Sequence, residues 1–188
     1  VVAGSTCPHE HALIHQAVGS HAQLLVAPRK PEWFDHAVHV LPGCVRRTSG
    51  QCGSTTGRFV LDTIGELRQA YALADLVIIG RTFSDLGGSD MIEPVALGKA
   101  VIVGPDCSNF SDATARLLKA GGILQCNEAS LSESIVSLLS DSASRESLVS
   151  NGRDCIREQQ GATLRNARVV CDSLPGVLHN ASGVTAYE

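Results

Sequence analysis

Short apolar runs recur along the chain and alternate with segments in which apolar residues are spaced three or four apart. The runs end at glycine, proline or polar residues, and we predict that they form strands over residues 1–6, 23–28, 59–61, 76–80, 100–103 and 123–126. The helical segments include residues 8–18, 113–119, 130–139 and 151–171, the last with a break at Gly161. This alternation predicts an α/β fold, a single Rossmann-like domain whose open parallel sheet carries helices on both faces.

The segment 85–105, DLGGSDMIEPVALGKAVIVGP, contains the most informative strand–helix corner. Its two glycines end a loop, and Ser89 and Asp90 are typical N-cap residues for a helix that Gly98 would close. A glycine loop at a helix N-terminus favours anions, because backbone amides and the helix dipole point outward together. Glu93, one turn later, is placed to accept hydrogen bonds from sugar hydroxyls. An ordinary crossover helix with a solvated Glu93 would show the same pattern.

Two further corners follow predicted strands. Gly4 precedes Ser5 and Thr6 at the first, and the second has the sequence DTIGEL over residues 62–67. In the second, Thr63 is placed to cap a helix and Glu66 to complete a capping box. Because carboxyl ends of parallel strands share one edge of a sheet, we expect all three glycine corners to converge on one cleft.

The composition of the chain argues against several classes of function. The chain has 188 residues, of which 44% are apolar, enough for one large domain or two small ones. Its net charge of −4, without a basic block, argues against a nucleic-acid partner, and its apolar runs are too short to span a bilayer. Seven cysteines without regular spacing indicate reduced thiols in a cytosolic protein.

A metal site is the alternative suggested by the histidines near the N-terminus. His11 and His15 are four residues apart and would share one helix face. The sequence has no HExxH or CxxC motif and no evident fourth ligand. We therefore interpret these histidines as surface residues on a solvated face, and predict no metal.

Four stretches resemble one known family, the bacterial 3-deoxy-D-manno-octulosonic acid (Kdo) transferases. Residues 87–94 are similar to its G-G-H-N-x-x-E-P signature, with Ser89 and Asp90 in place of His and Asn. Residues 3–10 resemble A-G-S-T-H-x-G-E, residues 28–34 resemble P-R-H-P-E-R-F, and residues 62–67 resemble D-T-M-G-E-L. A short strand at 45–49 is also implied. At the end of the predicted strand 76–80 the family has G-G-S, whereas residues 80–82 of this chain are Gly80, Arg81 and Thr82.

The resemblance implies one half of a GT-B glycosyltransferase, the half that binds the donor CMP-Kdo. In the family the helix N-terminus faces the phosphate, the Glu corresponding to Glu93 holds the ribose, the Arg corresponding to Arg29 lies near phosphate and base, and the DTIGEL-like loop contacts cytosine. The implied donor-binding residues are Ser5, Thr6, Arg29, Ile64, Gly65, Glu66, Gly87, Gly88, Ser89, Asp90 and Glu93.

The implied domain spans residues 1–173, with a tail at 174–188 and a separate N-terminal acceptor domain. That acceptor domain would bring the lipid A precursor, the membrane contact at the cytoplasmic face of the inner membrane, and the catalytic base. No catalytic residue is therefore expected here, although Glu10 follows the first glycine corner, and no cofactor is implied. A UDP-sugar transferase or epimerase, or a non-catalytic nucleotide-binding or interaction module, remains an alternative.

Overall fold

The computed structural model describes residues 1–159 and 162–173. In that part of the chain the strands are β1 (Val2–Thr6), β2 (Leu24–Pro28), β3 (Val45–Arg46), β4 (Arg58–Val60), β5 (Leu76–Ile79), β6 (Ala100–Val103) and β7 (Leu124–Gln125). The helices are α1 (Pro8–Val18), α2 (Phe34–Val40), α3 (Leu67–Ala72), α4 (Ile92–Ala96), α5 (Ser111–Lys119), α6 (Leu131–Ser140), α7 (Ser142–Gln159) and α8 (Ala162–Ser173).

The strands form one sheet in the order β3-β4-β2-β1-β5-β6-β7, and all pairings are parallel. The first part of the chain builds outward from β1 on one side, and β5 returns to pair with β1 on the other. The strand order therefore reverses between β1 and β5, which is where open α/β sheets bind ligands, at the carboxyl ends of the strands.

The sheet is buried on both faces because β2, β5 and β6 are apolar throughout. On β5, Leu76 and Ile78 pack in one core cluster with residues of α1, α2 and α6. Val77 and Ile79 point the other way, into a second cluster with residues of α3, α4 and α5. Burying each such side chain contributes about 1.5–3 kcal/mol. The predicted parallel sheet with helices on both faces is confirmed.

Two helices begin later than their sequence signals predict. The helix expected directly after Ser89 and Asp90 starts at Ile92, and the helix expected after Thr63 starts at Leu67. Gly98 ends the first of these as predicted, with a left-handed φ of 73°. The residues of both corners make tertiary contacts instead of continuing the helix, as described below.

The contacts divide the chain into two units at Ile156. The sheet and α1 to α6 belong to the first unit, and α8 to the second. The predicted helical segment 151–171 is confirmed as the end of α7 and most of α8. The predicted break at Gly161 and tail at 174–188 lie outside the described residues, so the 1–173 domain boundary stays a prediction. All seven cysteines lie in the described part, as free thiols.

Candidate functional site

The ends of β1 and β5 meet closely at the switch point. Gly80 donates its amide hydrogen to the Gly4 carbonyl at 2.7 Å, and a Cβ atom at Gly80 would lie 2.4 Å from Cα of Thr6. Arg81, which directly follows Gly80, and Ser5 at the end of β1 have left-handed φ values of 62° and 57°. Such a conformation costs a non-glycine residue on the order of 1 kcal/mol and clusters at functional sites.

Glu10 holds this pair of strand ends together. Its side chain is fully buried, and its two carboxylate oxygens accept hydrogen bonds from the backbone amides of Cys7 at 3.0 Å, Arg81 at 2.7 Å and Phe83 at 3.0 Å. The carboxylate thus caps the start of α1 and fixes the chain leaving β5. Buried in this way, Glu10 has no access to a substrate and serves the fold.

The glycine turn at Gly87–Gly88 is tied to the loop after β6. The Gly87 amide donates to Oδ2 of Asp106 at 2.7 Å, and the Asn109 amide donates to the Gly87 carbonyl at 3.0 Å. Both glycines are left-handed, and a Cβ at Gly87 would lie 2.3 Å from Nδ2 of Asn109. Only glycine fits this position, so the turn has one well-defined geometry.

Of the two predicted N-cap residues, Asp90 accepts an amide of the first turn as expected, whereas Ser89 does not. Ser89 is buried, and its hydroxyl group donates to the Ser5 carbonyl at 3.5 Å. Asp90 is exposed, and its Oδ1 accepts the Ile92 amide at 2.7 Å, which places the first amide of α4 on a carboxylate. Because α4 has only five residues, the corner resembles a bound turn more than the long helix N-terminus that the sequence suggested.

Arg81 is a contributor that the sequence reasoning missed. Its Nε atom donates to the Ser89 hydroxyl at 2.9 Å, and Nη2 donates to the Gly88 carbonyl at 2.7 Å. The side chain therefore connects the end of β5 to the glycine turn. A signal was present, because the residue directly follows Gly80 at the end of a predicted central strand, where ligands bind in such sheets.

Glu93 lies half-buried on α4 beside α3. Its Oε1 atom pairs with Nη1 of Arg68 at 3.3 Å. Tyr71, also on α3, is buried against the first corner, since a Cβ at Gly4 would lie 2.1 Å from its hydroxyl oxygen. Burial, followed by the charges of Glu93 and Asp90, raises the pKa of Tyr71 well above its ordinary value. Tyr71 thus closes the Gly4 corner that was predicted to offer free amides.

The loop after β4 keeps its backbone exposed at its centre. The Thr63 hydroxyl donates to Glu66 at 2.5 Å, and Nη2 of Arg47 pairs with the other carboxylate oxygen at 3.1 Å. These two contacts lower the pKa of Glu66 and replace the predicted capping box. Ile64 is 66% exposed, and Gly65 has a φ of 95° with open space at its Cβ position.

Arg29 and Thr6 occupy the β1–β2 edge of the crevice. The Arg29 amide donates to the Thr6 carbonyl at 2.9 Å, and the exposed Arg29 side chain makes no ion pair or hydrogen bond within the described residues. The Thr6 side chain points inward instead, where its hydroxyl lies 3.0 Å from Nε2 of His11. Thr6 therefore offers the crevice only its backbone.

The prediction that the N-terminal histidines lie on a solvated surface is wrong for His11. Its ring is fully buried, with Nδ1 2.9 Å from Nδ1 of His36 on α2. Burial, with a smaller effect of His36, lowers the pKa of His11 to about 4. His15 is half-buried, and its Nδ1 accepts a hydrogen bond from Arg58 at 3.2 Å.

The structure brings most of the predicted residues to one edge, in two groups. Ser5, Gly87, Gly88 and Ser89 meet at the β1–β5 crevice, with Asp90 and Glu93 directly following. Ile64, Gly65 and Glu66 follow β4, which β2 separates from β1. The Gly4 and Gly87–Gly88 corners thus meet through Ser5 and Ser89, while the Gly65 corner lies apart on the same carboxyl edge. A ligand contacting both groups would have to extend across β2.

A metal-binding cluster or a membrane-spanning helix would indicate a different function. In residues 1–159 and 162–173, no three His, Cys, Asp or Glu side chains are grouped so that they could hold a metal ion. Among the helices of the same residues, none has the length and apolar character needed to cross a membrane.

Comparison with curated proteins finds Kdo transferases. The chain is 34% identical over 167 residues to 3-deoxy-D-manno-octulosonic acid transferase of Bordetella pertussis, a match that covers 85% of this chain and 39% of that relative. With the enzyme of the same name from Haemophilus influenzae it shares 30% identity over 149 residues, 76% of this chain and 35% of the relative. The chain thus spans under two fifths of the length of these relatives. No family model matches it.

Solved structures agree on the fold. The C-terminal CMP-Kdo binding domain of WaaA from Acinetobacter baumannii superposes with a TM-score of 0.78 at 24% identity, covering 82% of this chain and 87% of that domain. WaaG, a glycosyltransferase involved in lipopolysaccharide biosynthesis, superposes with a TM-score of 0.60 at 15% identity, covering 94% of this chain and 47% of WaaG. By sequence the chain is a homologue of part of the Kdo transferases, and its Rossmann-like fold matches that of the solved CMP-Kdo binding domain of WaaA.

Proposed function

We propose that this chain is the donor-binding domain of a glycosyltransferase that transfers Kdo from CMP-Kdo to a lipid A precursor in lipopolysaccharide biosynthesis. The observation that carries the proposal is the β1–β5 crevice, where the Ser89 hydroxyl reaches the Ser5 carbonyl at 3.5 Å. Ser5 comes from the first resembling motif and Ser89 from the signature segment. Two stretches that are 84 residues apart in the sequence therefore form one site.

The phosphate of the donor would lie above this crevice, between Arg29 and the glycine turn. The Arg29 guanidinium is exposed at the end of β2 and lacks an acidic partner within the described residues. A guanidinium suits phosphate because its N–H groups match two phosphate oxygens at once.

Glu93 would accept hydrogen bonds from the ribose hydroxyls. Its side chain is 35% exposed, and its only ion-pair partner in the described chain is Arg68, which is itself 67% exposed. An exposed pair of this kind contributes little to stability, so the carboxylate can exchange it for a ligand. The Tyr71 ring beneath Gly4 supplies a rigid floor near Glu93, consistent with the effect of the Glu93 charge on that hydroxyl.

The cytosine would contact the loop after β4. Thr63 and Glu66 fix the two ends of the loop to each other, while Ile64 and Gly65 project outward between them. An exposed Ile64 offers an apolar face for the base, and the backbone beside Gly65 offers amide and carbonyl groups for its edge. Recognition through backbone groups in a fixed loop can distinguish cytosine from uracil, whose hydrogen-bonding edges differ.

Transfer of the sugar needs a base within hydrogen-bond distance of the acceptor hydroxyl. The Glu10 carboxylate, which follows the first glycine corner, is buried and bonded to three backbone amides. We therefore assign the acceptor, the catalytic base and contact with the cytoplasmic face of the inner membrane to a second domain. In this account the present domain supplies donor binding and orientation.

Calorimetric titration of the chain with CMP, UMP and AMP tests the proposal. CMP is expected to bind more tightly than UMP or AMP, although more weakly than it would to a complete enzyme in which a second domain closes over it. Equal binding of all three nucleotides would contradict the assignment of the β4 loop to cytosine. Preference for UMP would favour a UDP-sugar enzyme, and absence of nucleotide binding would favour an interaction module.

A further inference from the structure

Arg81 carries a charge that nothing in the described chain neutralises. Its two hydrogen bonds go to uncharged acceptors, the Gly88 carbonyl and the Ser89 hydroxyl. Three other arginines are paired with carboxylates: Arg46 with Asp35 and Asp62, Arg47 with Glu66, and Arg68 with Glu93.

The unneutralised guanidinium is also held in a fixed place. Arg81 is half-buried, its backbone amide is bonded to the buried Glu10, and its side chain is held at Nε and Nη2. Two of its five N–H groups are used in this way, and Nη1 makes no hydrogen bond within the described residues. A partly buried charge without a partner is costly, and a bound anion removes that cost.

The position of Arg81 is that of a ligand-binding residue. It follows β5 at the switch point, and both it and Ser5 at the end of β1 have the left-handed backbone conformation that concentrates at functional sites. Its guanidinium borders the same glycine turn over which the donor phosphate was placed above.

We propose that Arg81 binds an anionic oxygen of the donor nucleotide's phosphate, and that it is a specificity-determining residue which this chain adds to the site. The inference rests on the proposed function. The G-G-S pattern that corresponds to residues 80–82 has glycine where this chain has Arg81.

The test compares two ligands that differ only in the phosphate, CMP and cytidine, by NMR titration of the isotopically labelled chain. Arg81→Gln removes the charge while keeping an amide that can donate to Ser89 or Gly88. Arg81→Lys keeps the positive charge but loses the planar guanidinium, which can donate two hydrogen bonds to one phosphate. Arg145→Gln is the matched control, because Arg145 also donates to backbone carbonyls, those of Leu138 and Leu139 in α6. Thermal unfolding of each variant monitors the fold.

Arg81→Gln is expected to weaken CMP about ten- to a hundredfold while changing cytidine less than about twofold, at an unchanged unfolding midpoint. Arg81→Lys should recover part of the loss, and Arg145→Gln should bind CMP like the parent chain. Parent-like CMP binding by Arg81→Gln would overturn the inference and leave the proposed function standing. Equal losses for CMP and cytidine, with a lower midpoint, would also overturn it and make Arg81 a support for the turn. Failure of the parent chain to bind CMP would instead refute the proposed function.

Discussion

The Oε1 atom of Glu93 lies 3.3 Å from Nη1 of Arg68, a contact that joins α4 to α3 at the surface. Because both side chains are substantially exposed, the pair contributes at most about 1 kcal/mol to stability. The pair orients the Glu93 carboxylate at the edge of the crevice and leaves it partly exposed.

Substitutions can separate the two roles of Glu93, its ion pair with Arg68 and its proposed hydrogen bonds to the ribose. Glu93→Gln removes the charged acceptor proposed for the ribose, so the affinity for CMP should fall about ten- to a hundredfold. Arg68→Gln removes only the exposed partner, so the affinity should change less than about threefold. Calorimetry with CMP measures both, and parent-like binding by Glu93→Gln would show that the carboxylate is simply solvated.

Glu10 offers a test of the structural part of the account. In Glu10→Gln, one oxygen that accepts from buried amides is replaced by an NH₂ group, which leaves at least one amide hydrogen facing a donor. The free energy of unfolding should fall by about 2–4 kcal/mol, measured by urea denaturation. Glu146→Gln, at an exposed position on α7, is the control and should stay within about 0.5 kcal/mol of the parent. A neutral Glu10→Gln would mean that the strand ends are held by other contacts.

Gly87 tests how tightly the glycine turn is built. Gly87→Ala places a Cβ 2.3 Å from Asn109 in a left-handed conformation, whereas Gly53→Ala, at a similar φ of 81°, meets no atom within 4 Å. The Gly53 variant should lose about 1 kcal/mol of stability from backbone strain alone. Gly87→Ala should lose clearly more, because the Asn109 side chain must move. If urea denaturation shows equal losses of stability for the two variants, the Asn109 side chain can move away from Gly87 without an energetic penalty.

His11 makes the stability of the protein depend on pH. Its folded-state pKa of about 4 lies below the ordinary value of 6.5, so between these values the unfolded chain binds a proton that the folded chain excludes. The free energy of unfolding should therefore decrease as the pH falls from 6.5 towards 4, by at most about 1.4 kcal/mol per pH unit from this residue.

Urea denaturation between pH 7 and pH 5 measures that slope. His11→Gln should flatten it, although a part remains because burial, followed by Arg58, also lowers the pKa of His15. His9→Gln, at an exposed position, should leave the slope as it is in the parent. An unchanged slope in His11→Gln would assign the pH dependence to other groups.

The sheet was predictable from the sequence because its strands are apolar on both faces. Val77 and Ile79 point to one side of β5 and Leu76 and Ile78 to the other, so no alternation was needed to recognise the strand. The end of α4 at Gly98 was equally predictable, since a left-handed residue that ends a helix is usually glycine.

The contacts of the corners were not predictable in the same way. Ser89 has the chemistry of an N-cap, but the Arg81 guanidinium and the Ser5 carbonyl bind its hydroxyl instead. Thr63 and Glu66 have the spacing of a capping box, yet they bond to each other. Each case depends on a partner that is distant in sequence or on a local choice between equivalent hydrogen bonds, which spacing alone does not determine.

The burial of His11 was also not predictable from the spacing of residues. Its helical spacing with His15 suggested a shared solvated face, but α2 covers His11 and brings His36 against it. The helix periodicity of residues 8–18 gave the correct helix without indicating which neighbouring element would pack on it.

The most direct test of the account is the map of CMP on the isotopically labelled chain by NMR. If the donor nucleotide binds at the β1–β5 crevice and extends to the β4 loop, CMP should shift the amide signals of residues 5–6, 29, 64–66, 81 and 87–93, and leave those of α7 unchanged. Saturable shifts confined to these residues are the predicted result. Shifts centred elsewhere, or none at millimolar CMP, would contradict the claim that this domain binds the donor nucleotide at that edge of the sheet.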